Sequence, residues 1–551
     1  MVETKREIER KYESHTEGDA LPDLSRVPGV SSVLDRGVVH LDAVYYDTPD
    51  GRLAADKITL RRRTGGSDAG WHLKLPVSLA EGIRDEIHAP LDQESPGHPK
   101  PPAALTGLVR SRTRDVPLIP VIRLRNARHL RDLLDVAGEP LAEVSVDRVH
   151  AERLSGSGGG GTEGAGGIDA GDAGGTAEWT ETEVELADGG PPELLDRVED
   201  HLREAGWRPS RAASKLARAL EETASETQAD QPGQPDGADP SDGADPSDHP
   251  DPPGRPGRRP GAPAEPEPTP DGPAADHVLA YLGAQRDALV ELDPAVRREL
   301  PDAVHRMRVA TRRARSVLRT YRSVLDRTVT DPIGVDLKWL AAELGADRDR
   351  EVLTARLTAG LDALPPDLRA GPVGARLHSW SESRRGDARH RVVAVLDGER
   401  YLALLGRLDA LLAAPPLCAA ATKPAEVVLG KAVRRDRRRL RRRLDEALGR
   451  PPGDGRDVAL HQARKAAKRL RYAAEAARPA LGSRARQDVA RAKRLQSLLG
   501  DHQDSVMARH ALRDLAAQAH AAGETTFTYG LLYGREEHGA AEHEAKLTAD
   551  G

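Results

Sequence analysis

The 551-residue sequence predicts a multidomain chain with an N-terminal α+β unit and a C-terminal all-α unit. The first is a closed or nearly closed antiparallel sheet of eight strands with flanking helices; the second is a helical bundle of two repeated halves. Three observations predict this. Residues 1–220 hold eight short segments that alternate with period two and are separated by turn signals. Residues 277–520 hold long Ala/Leu/Arg segments with a period near 3.6. Within that second region a helix pattern recurs at offsets of 156 and 155 residues, the mark of a duplicated unit.

The strand segments are REIERKYE, VVHLDAVYYDT, ITLRRRT, WHLKLPV, IRDEIHAPL, VIRLRNAR, LAEVSVDRVHAE and WTETEVELAD. Eight in one region favour closure over an open sheet. A Gly-rich run, 155–178, interrupts the last two and is expected as a flexible loop. Residues 191–220 read as helical. Residues 221–276, which contain DGADPS twice, are expected as a disordered Pro/Asp-rich linker. The helical domain then spans 277–520, and 521–551 is expected as a flexible tail of Ala, Glu and His with little core-forming character.

Composition narrows the function classes. Aromatics are 3% of residues, with one Phe, so any core rests on Leu, Val and Ala. The single cysteine, Cys418, excludes an intramolecular disulfide framework and Cys-based zinc sites, and suits a reducing compartment. No apolar run approaches the roughly 20 residues that span a bilayer. The charged N-terminus, MVETKREIERKYE, lacks an apolar signal core. A cytoplasmic protein without a membrane partner is expected. The net charge of −6 is a sum of unlike parts: 277–520 carries 48 basic against 30 acidic residues, so the rest carries a matching acidic excess. That asymmetry points to a polyanionic partner.

In a strand, residues i and i+2 share a face. Parity therefore groups Glu7, Glu9 and Lys11; Arg61 and Arg63; His72 and Lys74; Arg84 and Glu86; Arg123 and Arg125; Glu143 and Asp147; and Glu181, Glu183 and Glu185. An ordinary sheet with a solvated outer face would carry such charges, but would tend to pair opposite signs across strands. A barrel with an inward polar face would instead form a charged tunnel. Its cations would grip phosphate oxygens, and its carboxylates would hold Mg²⁺ or Mn²⁺.

In the helical region, His305, Arg308, Arg312 and Arg315 fall within about 80° of one another on a helix, as do His461, Arg464, Lys468 and Arg471. Like charges on one face repel, and the repetition of the stripe suggests a basic groove for a linear polyanion. The denser run Lys431–Arg443 has no fixed face and reads as a solvated basic rim. With few aromatics to stack on bases and no groove-reading motif, nucleic acid is disfavoured as a partner.

These residues resemble two known families. Glu7-Ile8-Glu9-Arg10-Lys11 is similar to the ExExK signature of CYTH proteins, the triphosphate tunnel metalloenzymes. Tyr45-Tyr46-Asp47-Thr48, Leu60-Arg61-Arg62-Arg63, Trp71-His72-Leu73-Lys74, Arg84-Asp85-Glu86, Glu183-Val184-Glu185-Leu186 and Ser214-Lys215 follow in the family's order. His305-x₂-Arg308 and His461-x₂-Arg464, with the turns that begin Leu344-Gly345 and Leu499-Gly500, look like the CHAD domain. The resemblance implies an eight-stranded tunnel acting as an inorganic triphosphatase on triphosphate or short polyphosphate with Mg²⁺ or Mn²⁺. It implies Glu7, Glu9, Asp147, Glu183 and Glu185 as metal-facing, and Lys11, Arg61, Arg63, Lys74, Arg84, Arg123, Arg125 and Lys215 as phosphate-facing. Glu7, Glu9 and Lys11 would be catalytic. It implies polyphosphate binding by the CHAD stripes and association with polyphosphate granules. The alternative is a non-catalytic polyphosphate-binding or granule-targeting protein.

Overall fold

Nine strands carry the N-terminal unit: β1 (Glu3–Glu13), β2 (Ser32–Asp47), β3 (Thr59–Thr64), β4 (Gly70–Pro76), β5 (Ile83–Ala89), β6 (Ile119–Leu134), β7 (Pro140–Arg153), β8 (Thr176–Leu186) and the two-residue β9 (Arg208–Pro209). The molecule is a computed structural model that describes residues 3–14, 21–77, 83–91, 99–154, 175–224, 268–345, 348–382 and 386–550. It divides into two units, Met1–Pro263 and Ala264–Gly551. Most of the Gly-rich run 155–178 and of the tether 221–276 lies outside the described residues.

All pairings are antiparallel, in the order β5-β4-β3-β2-β6-β7-β8-β1-β9, and β1 also pairs with β5. The first eight strands therefore close on themselves, which removes the sheet edges. Two patches of the outer face are apolar and lie under helices. Leu60, Leu73, Leu75 and Ile87 pack with helices α1 (Arg52–Ala55) and α2 (Ala103–Thr113) through Leu53, Leu105 and Val109. Val144, Val184 and Leu186 pack against α3 (Glu193–Glu204) through Leu194, Leu195, Val198 and Leu202. Each such leucine, fully buried, contributes about 1.5–3 kcal/mol.

The inner face is divided along its length. At one end Ala43, Tyr45, Ile122, Leu124, Val149, Ala151 and Trp179 form an apolar layer, joined by Leu216 and Ala219 of α4 (Lys215–Glu222). This layer and α4 close that end of the barrel among the described residues. Ser214 caps α4, its hydroxyl accepting from the Ala217 amide at 3.1 Å, so the helix begins with Lys215 inside the barrel. The rest of the interior is charged.

The second unit is helical: α5 (Ala274–Arg297), α6 (Ala303–Thr320), α7 (Arg327–Glu343), α8 (Arg348–Asp362), α9 (Val373–Glu382), α10 (Gly386–Asp397), α11 (Glu399–Ala413), α12 (Ala425–Leu448), α13 (Asp454–Ala476), α14 (Arg478–Ala521, kinked at Gly482) and α15 (Phe527–Asp550). The pair α6–α7 and the pair α13–α14 are the repeated halves. They share a Leu/Ala/Val core, and the Tyr321 hydroxyl at the end of α6 donates to the Ala473 carbonyl of α13 at 2.6 Å. The tail expected after residue 520 is instead mostly helix. Its Tyr529 and Leu532 are buried in a second small core with Leu512 and Leu515, and its Leu547 reaches the main core. No helix among the described residues is long and apolar enough to cross a membrane.

Candidate functional site

The charged interior of the barrel is a cavity of about 580 Å³. Alternation along each strand delivers its lining: Glu7, Glu9 and Lys11 from β1, Arg61 and Arg63 from β3, His72 and Lys74 from β4, Arg84, Glu86 and His88 from β5, Arg128 from β6, Glu143 from β7, and Glu183 and Glu185 from β8. Lys215 enters from α4. The expected residues Glu7, Glu9, Lys11, Arg61, Arg63, Lys74, Arg84, Glu183, Glu185 and Lys215 are thus brought together. Asp147 lies beneath them, fully buried, with Arg128 and Lys215 on its carboxylate.

Arg123 and Arg125 are not part of this group. On β6 the even residues share the inward face of Ile122 and Leu124, so 123 and 125 point outward. Arg123 pairs with Asp42 at 2.5 Å, and Arg125 lies 3.7 Å from Glu152; both are substantially exposed. Arg128, of the opposite parity, supplies the interior guanidinium. Its Nε and Nη2 donate to Asp147 at 2.8 and 2.7 Å, and Nη2 also reaches Glu183 at 3.1 Å. Glu86 and Glu181, which parity places on charged strand faces but which the resemblance does not assign to metal or phosphate, also belong to the interior.

Lysines and carboxylates neutralise one another throughout. Lys74 Nζ is 2.5 Å from Glu7 and 3.8 Å from Glu86. Lys11 pairs with Glu183 and is 3.4 Å from Glu9. Arg61 is 3.6 Å from Glu86, and its Nη1 donates to the Tyr45 hydroxyl at 3.3 Å. Arg63 pairs with Asp68 of the β3–β4 turn. Lys215 Nζ lies 2.9 Å from Asp147, 2.7 Å from Glu181 and 2.7 Å from Glu183.

This crowding separates the acidities. Burial pushes the Glu7 carboxyl up to about 7, against the opposing pull of Lys74. For Glu9 burial acts in the same sense, but Lys11 and Lys74 outweigh it and hold the carboxyl at about 2. Burial would also raise Glu86, Asp147 and Glu183, yet neighbouring lysines and arginines keep all three below the usual range. Burial and then the nearby Arg61 and Arg128 lower the Arg63 guanidinium to about 9. Burial lowers His72 to about 4; its Nδ1 lies 3.0 Å from Glu86 and its Nε2 2.9 Å from the Asp68 carbonyl.

Asp147, Glu181 and Glu183 present carboxylate oxygens within 4.8 Å of one another. An all-oxygen donor set of this kind fits a hard divalent cation such as Mg²⁺ or Mn²⁺. Glu7 and Glu9 face the same cavity from β1.

In the helical unit, the two basic stripes lie on α6 and α13. Arg308, Arg312, Arg315, His461, Arg464, Lys468 and Arg471 are half-buried, and His305 is exposed. The repeat extends to packing detail. A Cβ on Gly345 would come within 2.8 Å of the Arg308 guanidinium carbon, and one on Gly500 within 3.3 Å of Arg464 Nη2. Each glycine thus lets an arginine lie against a neighbouring helix, Gly345 just past the end of α7 and Gly500 within α14. Within the stripes Arg471 also pairs with Glu475 at 2.7 Å. On α12 the run Lys431–Arg443 leaves Lys431, Arg434, Arg437, Arg438, Arg441 and Arg442 exposed.

Comparison with known proteins follows this division. Residues 5–220 match the CYTH domain model and residues 280–513 the CHAD domain model. Two uncharacterized proteins from two strains of Mycobacterium tuberculosis are 37% identical over 534 residues, covering 96% of this chain and 92% of theirs. Among solved structures, PptA from Streptomyces chartreusis aligns with a TM-score of 0.44 and 23% identity, over 50% of this chain and 99% of its own. The CHAD domain from the plant Ricinus communis aligns with a TM-score of 0.40 and 25% identity, over 51% of this chain and 91% of its own. The chain belongs to the CYTH and CHAD families, with a CYTH tunnel domain followed by a CHAD helical domain.

Proposed function

We propose that the barrel hydrolyses inorganic triphosphate or short polyphosphate with a divalent metal, and that the helical domain binds polyphosphate through its two stripes. The observation that carries this reading is the convergence of Lys11, Arg61, Arg63, Lys74, Arg84, Arg128 and Lys215 with buried carboxylates on one cavity. Cations in that number suit a chain of phosphates better than a single anion. Asp147, Glu181, Glu183, Glu185 and Glu9 would hold Mg²⁺ or Mn²⁺. When bound, such an ion neutralises phosphate charge and acidifies water.

The chain's own residues supply the rest. Arg61, Arg63, Arg84 and Arg128 orient the phosphates and stabilise charge on the departing phosphate oxygen. Glu7 differs from its neighbours in having its carboxyl near neutrality. It accepts the proton of the water whose oxygen attacks phosphorus as the anhydride P–O bond breaks. Apolar walls behind Tyr45 limit bulk water at the inner end. In the helical domain, Arg308 and Arg464 contact phosphate from equivalent positions of the repeat.

Phosphate release from tripolyphosphate, longer polyphosphate, thiamine triphosphate and ATP, with Mg²⁺ and with Mn²⁺, tests this. Release from tripolyphosphate, abolished in Glu7→Ala/Glu9→Ala, is expected. No release under any of these conditions would leave the tunnel a binding module.

A further inference from the structure

The acidic triad of the barrel already contains a cation, the Lys215 ammonium. Its Nζ stands 2.7–2.9 Å from an oxygen of each of Asp147, Glu181 and Glu183, the carboxylates suited to a metal ion. The lysine is held there: its side chain is 5% exposed, and the following Leu216 and Ala219 anchor α4 in the apolar layer. Arg128 and Lys11 complete the surroundings, so three carboxylates face three cations. A divalent ion entering this balanced cluster would add two positive charges beside an ammonium, in a site that water screens poorly. A bound triphosphate changes the balance, because its oxygens give Lys215 another anionic partner.

We propose that Lys215 is a resident counter-cation that holds the metal position before substrate arrives, so that a divalent ion binds there tightly only once a polyphosphate draws the ammonium away. The inference rests on the functional reading above and adds a binding order to it. By linkage, the factor by which triphosphate tightens metal binding equals the factor by which metal tightens triphosphate binding. The device keeps the carboxylates paired in the resting protein, and it lets the same lysine act first as a stand-in for the metal and then as a phosphate ligand.

The test needs no turnover. Mn²⁺ alone is titrated into the full chain, free Mn²⁺ being followed by electron paramagnetic resonance. Wild type, Lys215→Met and the control Lys74→Met are compared, with melting curves to show that each is folded. Lys215→Gln replaces Lys215→Met if the latter does not fold. Lys215→Met is expected to bind Mn²⁺ at least about tenfold more tightly than wild type, or ~1.4 kcal/mol, while Lys74→Met gains much less. An unchanged or weakened Mn²⁺ affinity in the Lys215 variant overturns the proposal, and so does an equal gain in Lys74→Met, which would indicate general charge removal. Failure of the hydrolysis reading is separable: a chain that releases no phosphate yet gains Mn²⁺ affinity on loss of Lys215 keeps the counter-cation assignment. A chain that hydrolyses tripolyphosphate but shows no such gain loses only this assignment.

Discussion

Replacing Arg128 with Leu, beside Arg125→Leu as its outward-facing counterpart, probes the site most directly. The two positions lie on the same strand, three residues apart, and differ in the face they occupy. Arg128 is 17% exposed and makes three charge-assisted hydrogen bonds to Asp147 and Glu183, at 2.7–3.1 Å. Breaking a buried ion pair on one side costs about 3–5 kcal/mol. The lower end applies here, because Asp147 keeps Lys215, and Glu183 keeps Lys215 and Lys11. A lost charge-assisted contact to phosphate removes a further ~1.5–3 kcal/mol of transition-state binding, a fall of about 10- to 150-fold in kcat/KM. Arg125 is 50% exposed and lies 3.7 Å from Glu152. An exposed pair of that kind contributes ~0–1 kcal/mol, so Arg125→Leu should leave tripolyphosphate hydrolysis within about threefold of wild type. Phosphate release under initial-rate conditions, with melting curves for each variant, decides the matter. Equal losses in the two variants, or near-normal turnover in Arg128→Leu, would refute the assignment of inward and outward faces on β6.

Further outcomes follow from the same structure. Because burial raises the folded-state pKa of Glu7 from 4.5 to about 7, its contribution to stability is present below about pH 4.5 and is lost as pH rises through about 7. Glu7→Gln should flatten stability against pH across that window, and should remove the rise of kcat/KM through neutrality expected of a proton acceptor. In the helical unit, Gly345→Ala should weaken polyphosphate binding about tenfold, more than Gly500→Ala does, since the new Cβ meets the Arg308 guanidinium at 2.8 Å but Arg464 only at 3.3 Å. Fluorescence titration with polyphosphate would show an inverted order if these glycines do not position the arginines. Leu547 of α15 is fully buried, so Leu547→Ala should cost about 2–5 kcal/mol of stability; an unshifted melting curve for the helical unit would mean that α15 does not dock as described.

Much of the tunnel was legible because period-two alternation is exact in short strands. Glu7, Glu9 and Lys11, or Arg61 and Arg63, share a strand face and so end on the same side of the wall once the sheet closes. The failure on β6 has a physical source. That strand is 16 residues long and carries arginine at both parities, at 123, 125, 128 and 131. Charge alone could not choose between them. The signal that could have chosen was apolar: Ile122 and Leu124 lie inside, in the layer that fills one end of the barrel, and 128 shares their parity. Charge does not mark the inner face here: on β6 the outward Arg123 and Arg125 are exposed and charged, while the inner face is apolar at one end and charged over the rest of its length. Glu181 was visible by parity with Glu183 and Glu185, but its importance depended on Lys215, which arrives from a helix some 30 residues away in sequence. The helix α15 was missed for a related reason. Its core contacts are a few widely spaced residues, Tyr529, Leu532 and Leu547, in an otherwise polar segment, too sparse to reveal a docked face.

The apolar layer beneath Tyr45, sealed by α4 among the described residues, makes the barrel a cup with a floor. A linear polymer can pass along a pipe at any point of its length, but it can enter a cup only by an end. Cleavage would then shorten polyphosphate from its terminus, and the depth of the cup would act as a ruler that fixes which anhydride bond lies among the carboxylates. Gel profiles of a defined long chain should show progressive loss from one end without mid-length fragments, and cyclic trimetaphosphate, which has no end to offer, should remain intact.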